Sequence, residues 1–118
     1  MVIGCLQLNS GVRQTRNAQM KFEDWPLHDA VFQNAHVDWK ERTCTLQILA
    51  FVDRTADAVP CRLIWGGLRK LLLPVENPWG PSVFINRQWS EVKGKYSIEL
   101  QSGDVVTIEA DTATFVRA

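Results

Sequence analysis

From Leu27 onward, apolar residues recur at every second position, the period of a half-buried β-strand. Over residues 31–39, Val31, Ala35, Val37 and Trp39 fall on one face with Gln33, while Asn34, His36 and Asp38 fall on the other. Over residues 43–52 the apolar face is Cys44, Leu46, Ile48, Ala50 and Val52. Matching these faces predicts a hairpin that pairs Trp39 with Cys44 and Val37 with Leu46. Its turn is centred on Glu41-Arg42, or is a four-residue loop from Lys40 to Thr43 in the same register. A polar segment leads to a strand over residues 60–65, which the pair Gly66-Gly67 turns into residues 68–75. There Leu71-Leu72-Leu73 lacks polar alternation, which predicts burial on both faces.

The run Asn77-Pro78-Trp79-Gly80-Pro81-Ser82 excludes helix and interior strand, and each proline biases the residue before it, Asn77 or Gly80, toward extended geometry. After it, Val83, Ile85 and Trp89 share a strand face that Arg87 interrupts. A Lys93-Gly94 turn then sets Trp89 opposite Ile98. Tyr96, Ile98 and Leu100 form the next inward face, and Val106, Ile108 and Ala110 the one after, joined by a bulged three-residue connection, Ser102-Gly103-Asp104. Residues 112–117 add a last strand with Phe115 inward. The expected fold is mainly β: seven or eight antiparallel strands in consecutive hairpins, closed as a sandwich or a small, partly open barrel.

Residues 1–24 read differently. Between Asn9 and Gln19 only Val12 and Ala18 are apolar, which predicts an N-terminal arm, with a short helix near 15–22 as an alternative and Met20 as a second candidate start. Residues 25–118 form a single β domain, as the length of 118 residues favours.

Thirteen basic residues, scattered along the chain, balance thirteen acidic ones, so the basic patch of a nucleic-acid binder is missing. No apolar run approaches the roughly 20 residues of a membrane-spanning helix. Cys5, Cys44 and Cys61 are odd in number and lack C-x-x-C spacing, arguing against a disulfide framework or structural zinc and for a reducing, cytoplasmic setting. Cys44, on an apolar strand face, reads as a small buried hydrophobe. Five tryptophans are the compositional anomaly, and most are expected in the core.

The candidate chemistry is sparse. His28 and Asp29 are adjacent, and in an extended segment their side chains point to opposite faces, so they are not expected to act as a base and its orienter. Hydrogen bonds to backbone at the start of the first hairpin explain them better, with Asp29 as a turn cap. A metal site recruiting His28, His36 and Asp38 is disfavoured, because only His36 and Asp38 share a face, and no metal or cofactor is expected. Arg87, at an inward position between Ile85 and Trp89, either stacks on an indole and pairs with an acid, the preferred account, or marks a polar cavity. Glu99 and Glu109 read as the solvated face of the last hairpin, and phosphate loops, nucleophile elbows and H-E-x-x-H are absent from the sequence. Trp79, on its proline-fixed loop, is either a core plug or a contact residue.

At Trp25-Pro26-Leu27-His28-Asp29-Ala30 the chain resembles small uncharacterised bacterial β-rich proteins with an N-terminal Trp-Pro-x-His-Asp-Ala motif, and loosely resembles immunity proteins of polymorphic toxin systems. The resemblance covers about six residues and implies a bacterial protein that binds a partner protein, with no catalytic role for His28. The preferred expectation is therefore a non-enzymatic protein-binding module with Trp79, His28, Asp29 and Arg87 as binding residues. The alternative is a small-molecule binder or small enzyme with a pocket near His28 and Arg87. A homo-oligomer through a strand edge or the arm is compatible with either.

Overall fold

The computed structural model describes residues 20–53 and 56–118; the arm proposed for residues 1–19 lies outside them. Eight strands follow a single 3-10 turn, Phe22–Asp24: β1 (Val31–Asp38), β2 (Thr43–Ala50), β3 (Val59–Gly66), β4 (Lys70–Leu72), β5 (Ile85–Val92), β6 (Lys95–Leu100), β7 (Val105–Glu109) and β8 (Thr112–Arg117). They form two four-stranded antiparallel sheets, in the orders β1-β2-β3-β8 and β4-β7-β6-β5. The architecture is a sandwich, and the inner alternate residues of both sheets make one core: Cys44, Leu46, Ile48, Cys61, Leu63 and Trp65 from the first, Ile85, Ile98, Val106 and Ile108 from the second. Phe22 and Trp25 close one side of it: the Phe22 ring stands edge-on to Trp25, Trp65 and Tyr96, and Trp25 tilts against Trp65. Gln88 ties this turn to β5 by donating to the carbonyls of Trp25 (2.8 Å) and Phe22 (3.4 Å).

The inward faces expected of β2, β6, β7 and β8 are found, Phe115 included. Several registers differ. The first hairpin pairs Val37 with Cys44 and Ala35 with Leu46, so residues 39–42 form the loop and Trp39 lies out in solvent, 86% exposed. Arg42 in a left-handed conformation (φ 57°) and the Asp38 carboxylate, which accepts the Glu41 N–H, close that loop. Parity alone allows this register as readily as the expected one, because a two-residue slide preserves the apolar face. The Lys93-Gly94 turn is present, but bulges on β5 between Ile85 and Arg87 and between Trp89 and Val92 set Trp89 opposite Ser97. They also turn Arg87 outward, and Gln88 takes the inward place. The β6–β7 connection is three residues, 101–103, with Gly103 at φ 91° as the bulge and Leu100 bonded to the Asp104 carbonyl.

Leu71-Leu72-Leu73 is not buried on both faces. β4 is a three-residue edge strand that pairs only with β7, and Leu72 and Leu73 are exposed. Nor are most tryptophans core: Trp25 and Trp65 are buried, Trp39 and Trp79 are exposed and Trp89 is half-buried. Because β4 and β5 are opposite edges of the second sheet, residues 73–84 form a strap that crosses the sheet's whole width, about 14 Å at roughly 4.8 Å per strand. The strap passes over the β6–β7 turn, and the proline-rich run lies in its middle. Among the described residues, no helix is long and apolar enough to cross a membrane.

Candidate functional site

The site is built on Asp104, a residue that the sequence reading had only as part of a turn. It follows Gly103, and its buried carboxylate reaches under the strap. Oδ1 accepts the Glu76 backbone N–H at 2.8 Å; Oδ2 accepts the Asn77 backbone N–H at 2.9 Å and the Ser102 hydroxyl at 2.8 Å. The bond from the Glu76 N–H holds the carboxyl below the usual aspartate range; burial opposes this, and the Asn77 and Ser102 bonds reinforce it. With both N–H groups turned to one carboxylate, Asn77 adopts φ 51° and Gly80 φ 107°, so neither has the extended geometry expected before proline. The Gly80 N–H donates to Asn77, and the Trp79 N–H donates to the Ser102 carbonyl at 2.8 Å. A Cβ on Gly103 would lie 2.7 Å from Trp79 Cδ2 and 2.8 Å from Pro78 Cγ, so both rings rest on that glycine. The Trp79 backbone is thus pinned while its side chain is mostly in solvent, with the residue 66% exposed.

His28 and Asp29 stand at the same end of the sandwich. Asp29 is left-handed (φ 64°), its N–H donates to Ile85, and its Oδ1 accepts the Gln101 amide at 3.0 Å. The left-handed residue breaks the extended geometry that would have separated the two side chains, and His28 Nε2 lies 3.5 Å from Asp29 Oδ2. His28 Nδ1 lies 2.8 Å from the Asn86 carbonyl, to which it can only donate. A catalytic imidazole needs one nitrogen on its carboxylate and the other free for the nucleophile's proton; here the other is bonded to a backbone carbonyl. The pair therefore orders the start of the domain and presents polar groups at its surface.

Arg87 makes the contacts expected of it, from the outer face of the sheet instead of an inward one. Its guanidinium lies 4.8 Å from the Trp89 ring centroid, and Nε and Nη2 donate to Glu99 Oε1 at 3.3 and 3.2 Å. Glu99 is not a solvated residue: it is buried under Asn86 and Arg87, and Asn86 Nδ2 donates to Oε2 at 2.6 Å. Burial alone would raise its pKa, but the hydrogen bonds from Asn86 and Arg87 and the arginine's charge outweigh it and lower the value. Cys44 and Cys61 are buried free thiols that burial makes harder to ionise, which suits structural residues, not nucleophiles.

The turn after β6 gathers the predicted residues. Gln101 holds Asp29 and its neighbour Ser102 holds Trp79, so Trp79, His28 and Asp29 share one end of the sandwich. Arg87 is reached through Asn86, whose carbonyl takes His28 and whose amide takes Glu99. The side chains of His28 and Arg87 are 72% and 66% exposed. Among the described residues, no three His, Cys, Asp or Glu side chains are grouped as metal ligands. Asp104, Gln101, Asn86 and Glu99 were missed as site residues; the one signal in sequence was the carboxylate directly after a turn glycine and two after a serine.

No protein-family model matches the chain, and comparison with curated proteins finds none of significant similarity. Among solved structures the fold is similar to that of an uncharacterized protein from Neisseria gonorrhoeae, with a TM-score of 0.52 and 15% sequence identity over 75% of this chain and 90% of that one.

Proposed function

We propose that the protein is a non-enzymatic binding module that docks another protein through the end of the sandwich carrying Trp79, in the immunity-like role that the Trp-Pro-x-His-Asp-Ala resemblance implies and in the reducing, cytoplasmic setting that its cysteines favour. One observation carries the reading: a tryptophan with most of its surface in water sits on a backbone fixed by a buried carboxylate, two prolines and a bond to Ser102. An aromatic anchor whose position is set before docking loses little entropy on binding, and tryptophan is enriched among residues that dominate interface energy. His28, Asp29 and Gln101 supply polar groups beside it, the composition of an interface rim. A shared pocket for His28 and Arg87, the competing small-molecule reading, has no support in their exposure and outward direction.

The test is affinity capture from the native source with the wild-type chain and Trp79→Ala, with Trp39→Ala as an exposed-tryptophan control. A partner captured by wild type and Trp39→Ala and lost with Trp79→Ala is expected; protection of cells against a toxin encoded nearby would identify the role. A partner that Trp79→Ala retains unchanged would sink Trp79 as the anchor.

A further inference from the structure

A cleft of about 300 Å³ opens at the other end of the second sheet, between the β1–β2 loop and the β3–β4 connection. Its apolar lining is Val37, Leu68 and Leu71, and Trp39 stands over it. Three cations complete the lining: Arg42, Arg69 and Lys70. Arg69 is already committed, to Asp111 and to the carbonyls of Gly94 and Ala110. Among the described residues, the side chains of Arg42 and Lys70 make no hydrogen bond or ion pair; Glu109 stands opposite Lys70 in the β4–β7 ladder, but none of the residues that line the cleft is an acid.

The walls are fixed in advance. The Leu68 N–H donates to the Arg42 carbonyl, joining the two loops. Asp111 approaches Gly67 so closely that a Cβ there, at φ 63°, would collide with its Oδ2, so the Gly66-Gly67 turn lets Asp111 hold Arg69 in place. Arg42 keeps a left-handed backbone that glycine would adopt without penalty. A charged side chain at this position costs stability and places a guanidinium at the cleft mouth.

We propose that this cleft binds a small amphipathic organic anion, a planar apolar body with a carboxylate, sulfonate or phosphate group. The body lies on Val37, Leu68 and Leu71 against the Trp39 ring, and the anionic group bridges Arg42 and Lys70. The volume suits a small ligand and is at the low end for such sites. A lining with three cations and no acid chooses the sign of the charge, and guanidinium is suited to oxyanions. This site is separate from the Trp79 end and stands or falls without it.

The probe is 2-naphthoate, with 2-naphthalenemethanol as its neutral analogue, titrated against the 15N-labelled full chain. Binding on the order of millimolar or tighter is expected for a ligand of this size. Shifts should be confined to the Trp39 indole and the amides of residues 37–42 and 68–71. Arg42→Ala and Lys70→Ala should each weaken binding by roughly tenfold, the effect of losing a charge-assisted bond, and Arg62→Ala, on the other sheet, should not change it. Arg42→Gly should bind as weakly as Arg42→Ala while folding at least as stably as wild type, which separates a binding role from a structural one. Equal affinity for the neutral analogue, shifts centred elsewhere, unchanged binding by the Arg42 and Lys70 variants, or no binding at millimolar concentration would each overturn the proposal.

Discussion

Replacing Trp79 by alanine separates a contact residue from a core plug, because the two predict different losses of stability. Two thirds of the residue is in solvent, so about a third of the roughly 250 Å² a tryptophan can bury is removed from water, on the order of 80 Å². At about 25 cal/mol per Å² that is ~2 kcal/mol, an upper bound since the unfolded chain already hides part of the ring. Trp65, fully buried among Phe22, Trp25 and Tyr96, sets the comparison: truncating such a residue costs about 3–5 kcal/mol. Urea unfolding followed by far-ultraviolet circular dichroism measures both. With a slope of about 2 kcal/mol per molar, Trp79→Ala should lower the midpoint by at most about 1 M and Trp65→Ala by about 1.5–2.5 M. A Trp79→Ala chain that is unfolded, or as destabilised as Trp65→Ala, would refute the contact role, because the ring would then be holding the fold together.

The same network gives further expectations. Asp104 and Glu99 both have folded-state pKa values below their unfolded ones, so the stability they contribute is complete above about pH 4–4.5 and is lost as pH falls through the folded values; thermal melts from pH 7 to 2.5 should show it, and Asp104→Asn should flatten the acid limb. Gly103→Ala places a Cβ against Trp79 and Pro78 at φ 91° and should cost about 1–2 kcal/mol from backbone strain alone, with the Trp79 indole resonance displaced in NMR spectra. Arg87→Ala leaves the buried Glu99 carboxylate with Asn86 as its remaining side-chain donor and should cost about 1–3 kcal/mol in a urea unfolding experiment.

The alternation of residues 43–52 and 96–110 made the fold class legible, since a strand with one wet face leaves little freedom about which side is inward. What period two leaves open is a slide of two residues. Trp39 shows the result: it keeps its parity and still lands in a loop, because Arg42 accepts a left-handed backbone that sequence does not advertise. Arg87 shows a second limit, since a bulge changes parity locally and bulges carry no reliable residue signature. The leucines of β4 misled because an apolar run is the same in a central strand and on an exposed edge; only the topology tells them apart. Within the site, His28 and Asp29 were visible as unusual residues. Their closeness depended on one backbone angle, and the Asp104 clasp on contacts 27 and 28 residues apart.

That separation also sets an order of assembly. The β6–β7 hairpin closes over three residues, whereas the strap meets it only after bridging the sheet, so the hairpin can exist without the strap and the clasp cannot exist without the hairpin. The reverse path is a partial opening in which residues 76–80 lift away while the eight strands stay paired. Amide hydrogens of Glu76, Asn77 and Trp79 should then exchange faster than those of β6 and β7, and faster still in acid than the intrinsic pH dependence of exchange accounts for. In that sense Asp104 is a latch: with the Ser102 carbonyl, its carboxylate governs whether the surface at that end of the molecule is presented or let go.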